Sequence, residues 1–537
     1  MVPPCADDNP APREPRLSRR QIWALCLWMA LVFTVIGLLC LSAHSLESLI
    51  TGDVPNIMMV MHSMLTDGDV DLLNNFEEGD WQEFFHFEFP PQYFPGTHFP
   101  LRSIGLPILL LPGFALGGPV GMMIWAIILN AAVCAALAGL AISLTGRLWV
   151  GLMFGLLLFG MTPFFFYQFF PYSDMYAGLL FLACFLIIAF RIAGREVSLG
   201  WNALAVSLAC LIPWLHFKHL IPLPFIGLIL LFANRHRPRR RWTAAIAMDA
   251  AIAALLLGFY LLYHHWRGVS LLNYRAEAKL FGNYHEGLIG TLFDRQFGVF
   301  YHSPVLLFGF LGLFRSLIRG PRRLAIVGIA IMLPIYGYSA THFYWWGGAS
   351  PTGRLAMNWL YIFVFFTVVF FMAETARAWV VLFLILSAIT LLNTAVALNS
   401  PESLFIFNEY PNHLVNPQPG SWGLWGVSKL FDFYGINDYF PSLIFIEGKN
   451  LRPLILTLTL IMALIVIDNW STLRTRGHIT RTKVIVFALL WIGACGALYA
   501  YLYARRQPSV SDHFREIYGV SPSEWERGLR AEPPLDS

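Results

Sequence analysis

Apolar residues in this chain come in blocks, and polar residues fill the gaps between them. Most blocks run roughly 17–25 residues, the length that crosses a hydrocarbon core as a helix. Fourteen segments read this way, at about 21–43, 103–118, 120–143, 148–163, 175–190, 201–214, 217–233, 244–263, 303–318, 324–341, 354–373, 379–397, 451–469 and 484–503. The pattern predicts an all-α polytopic membrane protein with about 12–13 membrane segments. It also predicts an order of parts: a cytoplasmic tail at 1–20, a transmembrane catalytic region at 21–397 with its first outer loop at 44–100, an outer loop at 398–450, a transmembrane hairpin at 451–503 and a tail at 504–537.

Charge sets the orientation. Arg13, Arg16, Arg19 and Arg20 precede the first apolar block, which puts the N-terminus inside. Basic gaps recur at Arg191/Arg195, at 234–241, at Arg315/Arg319/Arg322/Arg323, at Arg377 and at 474–483. Placed inside, they give a self-consistent alternation and read as topology signals. Residues 44–100 contain ten acids and no Lys or Arg, as an outer loop should. That loop is rich in Phe, Trp and Tyr, which favour the headgroup level, so it is expected to hug the membrane. Within it, 54–66 reads as a short interfacial helix. Four apolar segments lie between this loop and Arg191, where an odd number of crossings is required. The first, with Pro107, Pro112 and Gly113, is therefore expected to be partial. Arg505/Arg506 fall outside in this count, as does the C-terminus.

Composition narrows the class further. Hydrophobic residues make up 57% and charged residues 13%, against about 25% charged in soluble domains. Net charge is only +4, and no basic patch points to nucleic acid. Six of the seven cysteines fall in apolar blocks, which argues against a disulfide framework or a zinc site. The first apolar block is long and leads straight into the body of the protein, unlike a cleaved signal.

Ionisable residues then stand out at one level, the outer boundary: Asp53, His98, Arg102, Asp174, His216, Lys218, His219, Asp294, Arg295, His302, His342 and Arg354. Such groups are costly beside a bilayer and tend to be functional. Each also has a plainer reading. Asp53 could cap the helix that follows it. Lys218 could reach up to the headgroups, and Arg354 could pair with lipid phosphate. Asp67, Asp69 and Asp71 alternate like a calcium loop, with Glu78 at its twelfth position, but Leu72 stands where the sharp turn needs Gly. A solvated turn fits better, and a divalent metal is left open.

The ordered motifs resemble the GT-C superfamily of lipid-linked-sugar glycosyltransferases. They are closest in look to bacterial relatives of the protein O-mannosyltransferase and aminoarabinose transferase branch. The usual pattern, roughly Gly-Asp-Glu-Pro-His-Tyr, is here Gly52-Asp53-Val54-Pro55-Asn56-Ile57. There follow Asp67-Gly-Asp-Val-Asp-Leu-Leu-Asn-Asn75, Gly105-Leu-Pro-Ile-Leu-Leu-Leu-Pro112, Pro171-Tyr-Ser-Asp174, Pro213-Trp-Leu-His-Phe-Lys218, Phe293-Asp-Arg-Gln-Phe-Gly298 and Trp345-Trp-Gly-Gly-Ala-Ser350. The resemblance implies a GT-C-like helical bundle. It implies an inverting transfer of sugar from a polyprenyl-phosphate donor to a glycan, lipid or protein acceptor, at the periplasmic face of a bacterial inner membrane. Asp53 would be the general base. Lys218 and Arg354 would face the donor phosphate, with Asp174, His98, Arg102, His216, Asp294 and Arg295 as further substrate contacts. Val54 departs from the pattern, which has an acid there. Two other classes compete: a transporter or flippase of lipid-linked sugar, and a relative that binds the sugar without catalysis. A transporter predicts internal repeats and charges at mid-membrane. The sequence shows no convincing repeat, and helix interiors are almost uncharged.

Overall fold

The computed structural model describes residues 17–42, 53–83, 93, 97–161, 163–194, 197–234, 238–268, 284–294, 298–342, 353–372, 376–399 and 452–475, and five more (490, 491, 493, 494 and 497). Residues 400–450 of the expected outer loop, the C-terminal tail, Arg295 and most of the expected last helix lie outside these. Among the described residues the chain is helical, and seven helices are long and apolar enough to cross a membrane. It is an all-α integral membrane protein, as the apolar blocks require.

Residues 1–279, 323–336 and 357–368 form one compact unit, and 280–322, 337–356 and 369–537 form another. In the first unit, α1 (Arg19–Leu41) starts on a capping box. Ser18 Oγ accepts from Gln21 N–H at 3.3 Å, and Gln21 Oε1 accepts from Ser18 N–H at 2.8 Å. The chain continues through α2 (Val54–Thr66), α3 (Leu73–Glu78) and the long α4 (Gly105–Thr145), against which α1 packs. Next come α5 (Leu148–Gly160), α6 (Phe164–Tyr167), α7 (Ser173–Ile192), α8 (Leu199–Leu215), α9 (Leu223–Asn234) and α10 (Arg239–Trp266).

One expectation needs correction. The helix at 54–66 does not lie flat at the interface. Every residue from Val54 to Met61 is buried, and the helix packs on α4. Apart from Asn56 the segment is apolar all round its first two turns, so it must be covered, here by protein. The aromatic run at 163–171 is likewise core, with Phe164–Phe170 buried throughout.

The short segment at 103–118 is half of a tight helical hairpin. Gly117 and Gly118 leave helical geometry, Gly118 at φ +56°, and the helix doubles back. Trp125 Nε1–H donates to Leu109 O at 3.0 Å, although a straight helix would hold these residues about 24 Å apart. Gly113 and Gly121 meet where the legs touch, and a Cβ on either would overlap the other's backbone. The first leg, Gly105–Leu116, is about 18 Å long, too short to span a bilayer.

The second unit holds α11 (Tyr284–Phe293), α12 (Val299–His302) and α13 (Leu307–Ile318). α14 (Arg322–Thr341) and α15 (Met357–Met372) each divide between the units, and α16 (Arg377–Asn399) and α17 (Arg452–Thr475) belong to the second. Its aromatic core gathers Phe308, Phe370, Phe371, Trp379 and Phe383. Here the Arg-rich inner gap proves to be more than a topology signal. Arg315 is buried, and its Nε–H donates to Asp468 at 3.0 Å. Its Nη1–H donates to Phe370 O at 2.6 Å, and its guanidinium lies 3.7 Å from the centre of the Phe370 ring. Helix interiors therefore do carry charge. In the first unit, Asp249 of α10 likewise accepts from Asn202 Nδ2–H at 2.5 Å. The pairs escape a reading of the sequence because their members lie 153 and 47 residues apart.

One glycine sets the depth at which α7 and α15 cross. A Cβ on Gly178 would overlap Met357 O and the Tyr361 ring. Tyr361 stacks on Phe164 with centroids 4.1 Å apart, so it has little room to yield. Gly178→Ala is expected to cost about 1–3 kcal/mol, as overpacked cores do. Denaturant unfolding in detergent would show it as a lower midpoint with an unchanged slope.

Candidate functional site

The first unit brings five of the nine sequence-chosen residues into two linked clusters. The first is built on Asp53. This residue precedes α2 in helical geometry, and its side chain makes no capping bond. Its carboxylate instead takes Arg102 Nη2–H at 2.6 Å. Arg102 Nη1 lies 3.1 Å from His216 Nε2. The plain capping explanation for Asp53 thus fails, and the acid is 8% exposed and paired across 49 residues.

Three local features bring these groups together. Pro55 starts α2 just after Asp53. Pro213 sits in the last turn of α8, and the chain turns extended at His216 before the 3₁₀ turn Phe217–Leu220. Gly105 then lets the start of α4 touch the end of α8. A Cβ there would overlap the Trp214 carbonyl. Arg102 and His216 flank this contact, three residues before Gly105 and two after Trp214.

Both ring nitrogens of His216 face a donor. Nδ1 lies 3.3 Å from the Lys218 backbone N. A neutral ring accepts at one nitrogen only: with Nδ1 accepting, the proton sits on Nε2, and with Nδ1 protonated, Nε2 accepts from Arg102 Nη1–H. In the first of these states two donors meet, an arrangement that an anionic oxygen would satisfy.

The second cluster is the ion pair of Lys218 with Asp174, Nζ to Oδ1 at 2.5 Å. Asp174 is fully buried in the first turn of α7, and the Lys218 side chain is 9% exposed. Asn358 Nδ2–H donates to the same Asp174 oxygen at 2.9 Å. Asn358 is 1% exposed and reaches Asp174 because α15 crosses α7 at Gly178. Lys218 is thus held by an acid beneath the site, and it neither snorkels nor stands free for a phosphate. His219, 1% exposed, has its ring centre 6.0 Å from that of His216, next to both clusters.

Of the other chosen residues, His98 is exposed, with its ring edge-on to Tyr93 at 5.9 Å. Its carbonyl accepts from Leu72 N–H at 3.1 Å, so its backbone ties the end of the first outer loop to the start of α3. Asp294 and Arg354 belong to the second unit, where Asp294 is fully buried at the end of α11 and Arg354 is half-buried in a 3₁₀ turn. Val54, in place of the expected acid, is fully buried.

A scan of protein-family models finds no match for this chain, and a comparison with curated proteins finds none either. Among solved structures, ArnT from Cupriavidus metallidurans bound to undecaprenyl phosphate is similar over 92% of this chain and 80% of that chain, at 15% identity and a TM-score of 0.44.

The aspartates of the acid-rich stretch 67–80 bond to nearby amides, backbone and the Ser63 hydroxyl, and Asp80 also stands 3.3 Å from His62 Nε2. Asp67 accepts from Asn75 Nδ2–H at 2.8 Å and from Asn74 Nδ2–H at 3.2 Å. The same Asn75 nitrogen donates to Asp80 at 2.9 Å. Asp69 accepts from Ser63 Oγ–H and Asp71 N–H, and Asp71 from Leu73 N–H. The two bonds from backbone N–H groups two residues on are Asx turns. The two Asn amides hold the Asp67 carboxyl below its ordinary value. Among the described residues, no three His, Cys, Asp or Glu side chains gather as metal ligands.

Sequence reasoning missed Asn358 and Arg267. Asn358 sits among apolar neighbours in α15 with no charge to mark it. Arg267 follows α10 in a stretch that reads only as an outer connection. An open apolar groove of about 550 Å³ between α8 and α10 also has no single-residue signature. Leu211, Trp214, Phe259, Leu262, Tyr263 and Trp266 line it.

Proposed function

We propose that this protein is an inverting glycosyltransferase that moves a sugar from a polyprenyl phosphate to an acceptor hydroxyl at the outer membrane face. The observation that carries the reading is the Asp53–Arg102–His216 cluster: a buried carboxylate bonded to a cation, with an imidazole nitrogen beside that same cation.

The cluster suggests how a base could be held in reserve. While Arg102 is bonded to it, Asp53 is a weak base, because an adjacent cation favours the charged carboxylate. A lipid phosphate offers Arg102 and His216 Nε2–H an anionic oxygen to share. Arg102 then turns toward the phosphate, and Asp53 loses its counter-charge in a poorly solvated place. Its affinity for a proton rises when the donor is bound. Asp53 takes the acceptor hydroxyl proton. The hydroxyl oxygen attacks the anomeric carbon from the face opposite the phosphate, and the carbon–oxygen bond to the phosphate breaks with its electron pair. Polyprenyl phosphate leaves, its charge stabilised by Arg102 and His216. The Lys218–Asp174–Asn358 cluster fixes the 3₁₀ turn that carries His216. The α8–α10 groove suits the prenyl chain, because Trp214 in its wall is two residues from His216.

Lipid carried through purification tests the reading. Native mass spectrometry should find a polyprenyl phosphate bound, and the neutral polyprenol of the same length should bind at least tenfold more weakly. Equal affinity for the two would refute phosphate recognition by this site.

A further inference from the structure

Arg267 ends α10 and takes no part in the chemistry just described, yet it is 2% exposed. Its guanidinium donates to Pro100 O. It lies 5.4 Å from the centre of the Phe99 ring and 5.0 Å from that of Tyr263. Trp266, the residue before it, packs its ring on Phe99 at 5.4 Å. Arg267, Tyr263 and Trp266 thus gather at the dipeptide Phe99-Pro100. Two residues further along the chain, Arg102 reaches Asp53 and His216.

A surface arginine has no need of such an enclosure. Burying a guanidinium is expensive unless it is bonded and stacked. Here it meets a carbonyl that no regular secondary structure employs. Pro100 forms only an isolated bridge with Tyr93. The planar group can donate to that carbonyl while the two rings line its surroundings, which an ammonium could not reproduce.

We propose that Arg267 is a positioning residue: it latches the end of the first outer loop onto α10 and thereby sets where Arg102 stands against Asp53 and His216. Two of the latch residues, Tyr263 and Trp266, are also walls of the α8–α10 groove. The groove and the polar cluster are therefore tied through one arginine. This role rests on the cluster's geometry and adds to the proposed function a link between the lipid-chain groove and the head-group site.

The test reads the position of Arg102 without any substrate. Phenylglyoxal modifies accessible guanidinium groups, and peptide mass spectrometry gives the rate at Arg102 alone. In the native protein Arg102 is bonded to Asp53, stands 3.1 Å from His216 Nε2 and has a side chain 27% exposed, so labelling is slow. Arg267→Gln should raise the Arg102 rate at least tenfold, and Arg267→Lys should raise it less. The labelling rate of Arg147, elsewhere in the chain, should not change. Tyr263→Phe keeps the ring and should leave the Arg102 rate unchanged, whereas Tyr263→Leu should raise it about threefold. If Arg267→Gln does not fold, the two Tyr263 variants carry the test. An Arg102 rate that stays at the native value in folded Arg267→Gln, or in Tyr263→Leu where the Gln variant does not fold, overturns the latch. Since no sugar or lipid enters this experiment, its failure would leave the glycosyltransferase reading untouched. Loss of polyprenyl-phosphate selectivity would refute that reading and leave the latch standing.

Discussion

Asp53→Asn is expected to lower sugar transfer by about 10²–10⁴-fold, the usual contribution of a general base. The amide keeps the size and one acceptor oxygen, so Arg102 retains a neighbour. Losing a charged hydrogen bond costs about 1.5–3 kcal/mol, and the helical body that surrounds the site is unchanged. Catalysis and folding should therefore separate. The protein should purify in detergent with native yield, unfold as a single transition and still bind polyprenyl phosphate. Arg102→Gln serves as the partner experiment. It frees Asp53 and removes a phosphate donor, so lipid-phosphate binding should weaken together with transfer. Transfer is read as the polyprenyl phosphate released per hour by protein in nanodiscs loaded with the lipid-linked sugars of its host. Transfer at the native rate in Asp53→Asn would exclude Asp53 as the base. A loss of lipid binding equal to the loss of rate would make it a binding residue instead.

Asp468→Ala should destabilise the second unit by about 3–5 kcal/mol, because it strands a buried guanidinium. Asp468 accepts from Arg315 Nε–H at 3.0 Å, and the two side chains are 2% and 8% exposed. Arg315 is further fixed by the Phe370 carbonyl and ring, so it cannot swing out to water without breaking both. Arg315→Leu combined with Asp468→Leu removes the whole pair. Such apolar replacement of a buried ion pair is often neutral or stabilising. The double variant should recover most of the loss, and the contrast is the signature of a buried pair. Unfolding midpoints in mixed micelles measure both. A single variant as stable as the native protein would mean that water reaches Arg315.

Much of this fold is written in the spacing of apolar residues. Block length alone demands spanning helices, because an unsatisfied backbone in hydrocarbon costs several kcal/mol per group. The break between 103–118 and 120–143 is legible too, since Gly117-Gly118-Pro119 cannot continue a helix. That the two legs pack back on each other is not, because it depends on Gly113 meeting Gly121. The interfacial reading of 54–66 failed for a related reason. An apolar helix has the same sequence whether lipid or protein covers it, and only the packing of α2 on α4 decides.

The sequence by itself determined the all-helical, membrane-spanning class, and it marked Asp53, Arg102, Asp174, His216 and Lys218 as costly residues worth a reason. Composition and period suffice for that, because the price of polar groups near lipid is paid residue by residue. Only the tertiary structure decided who pairs with whom. It gave Lys218 to Asp174, Arg102 to Asp53 and Arg315 to Asp468, and it set the unremarked Asn358 against Asp174 and Arg267 against Pro100. Those pairings join residues from 44 to 184 positions apart. Electrostatic energy depends on distance in space, and distance along the chain does not contain it.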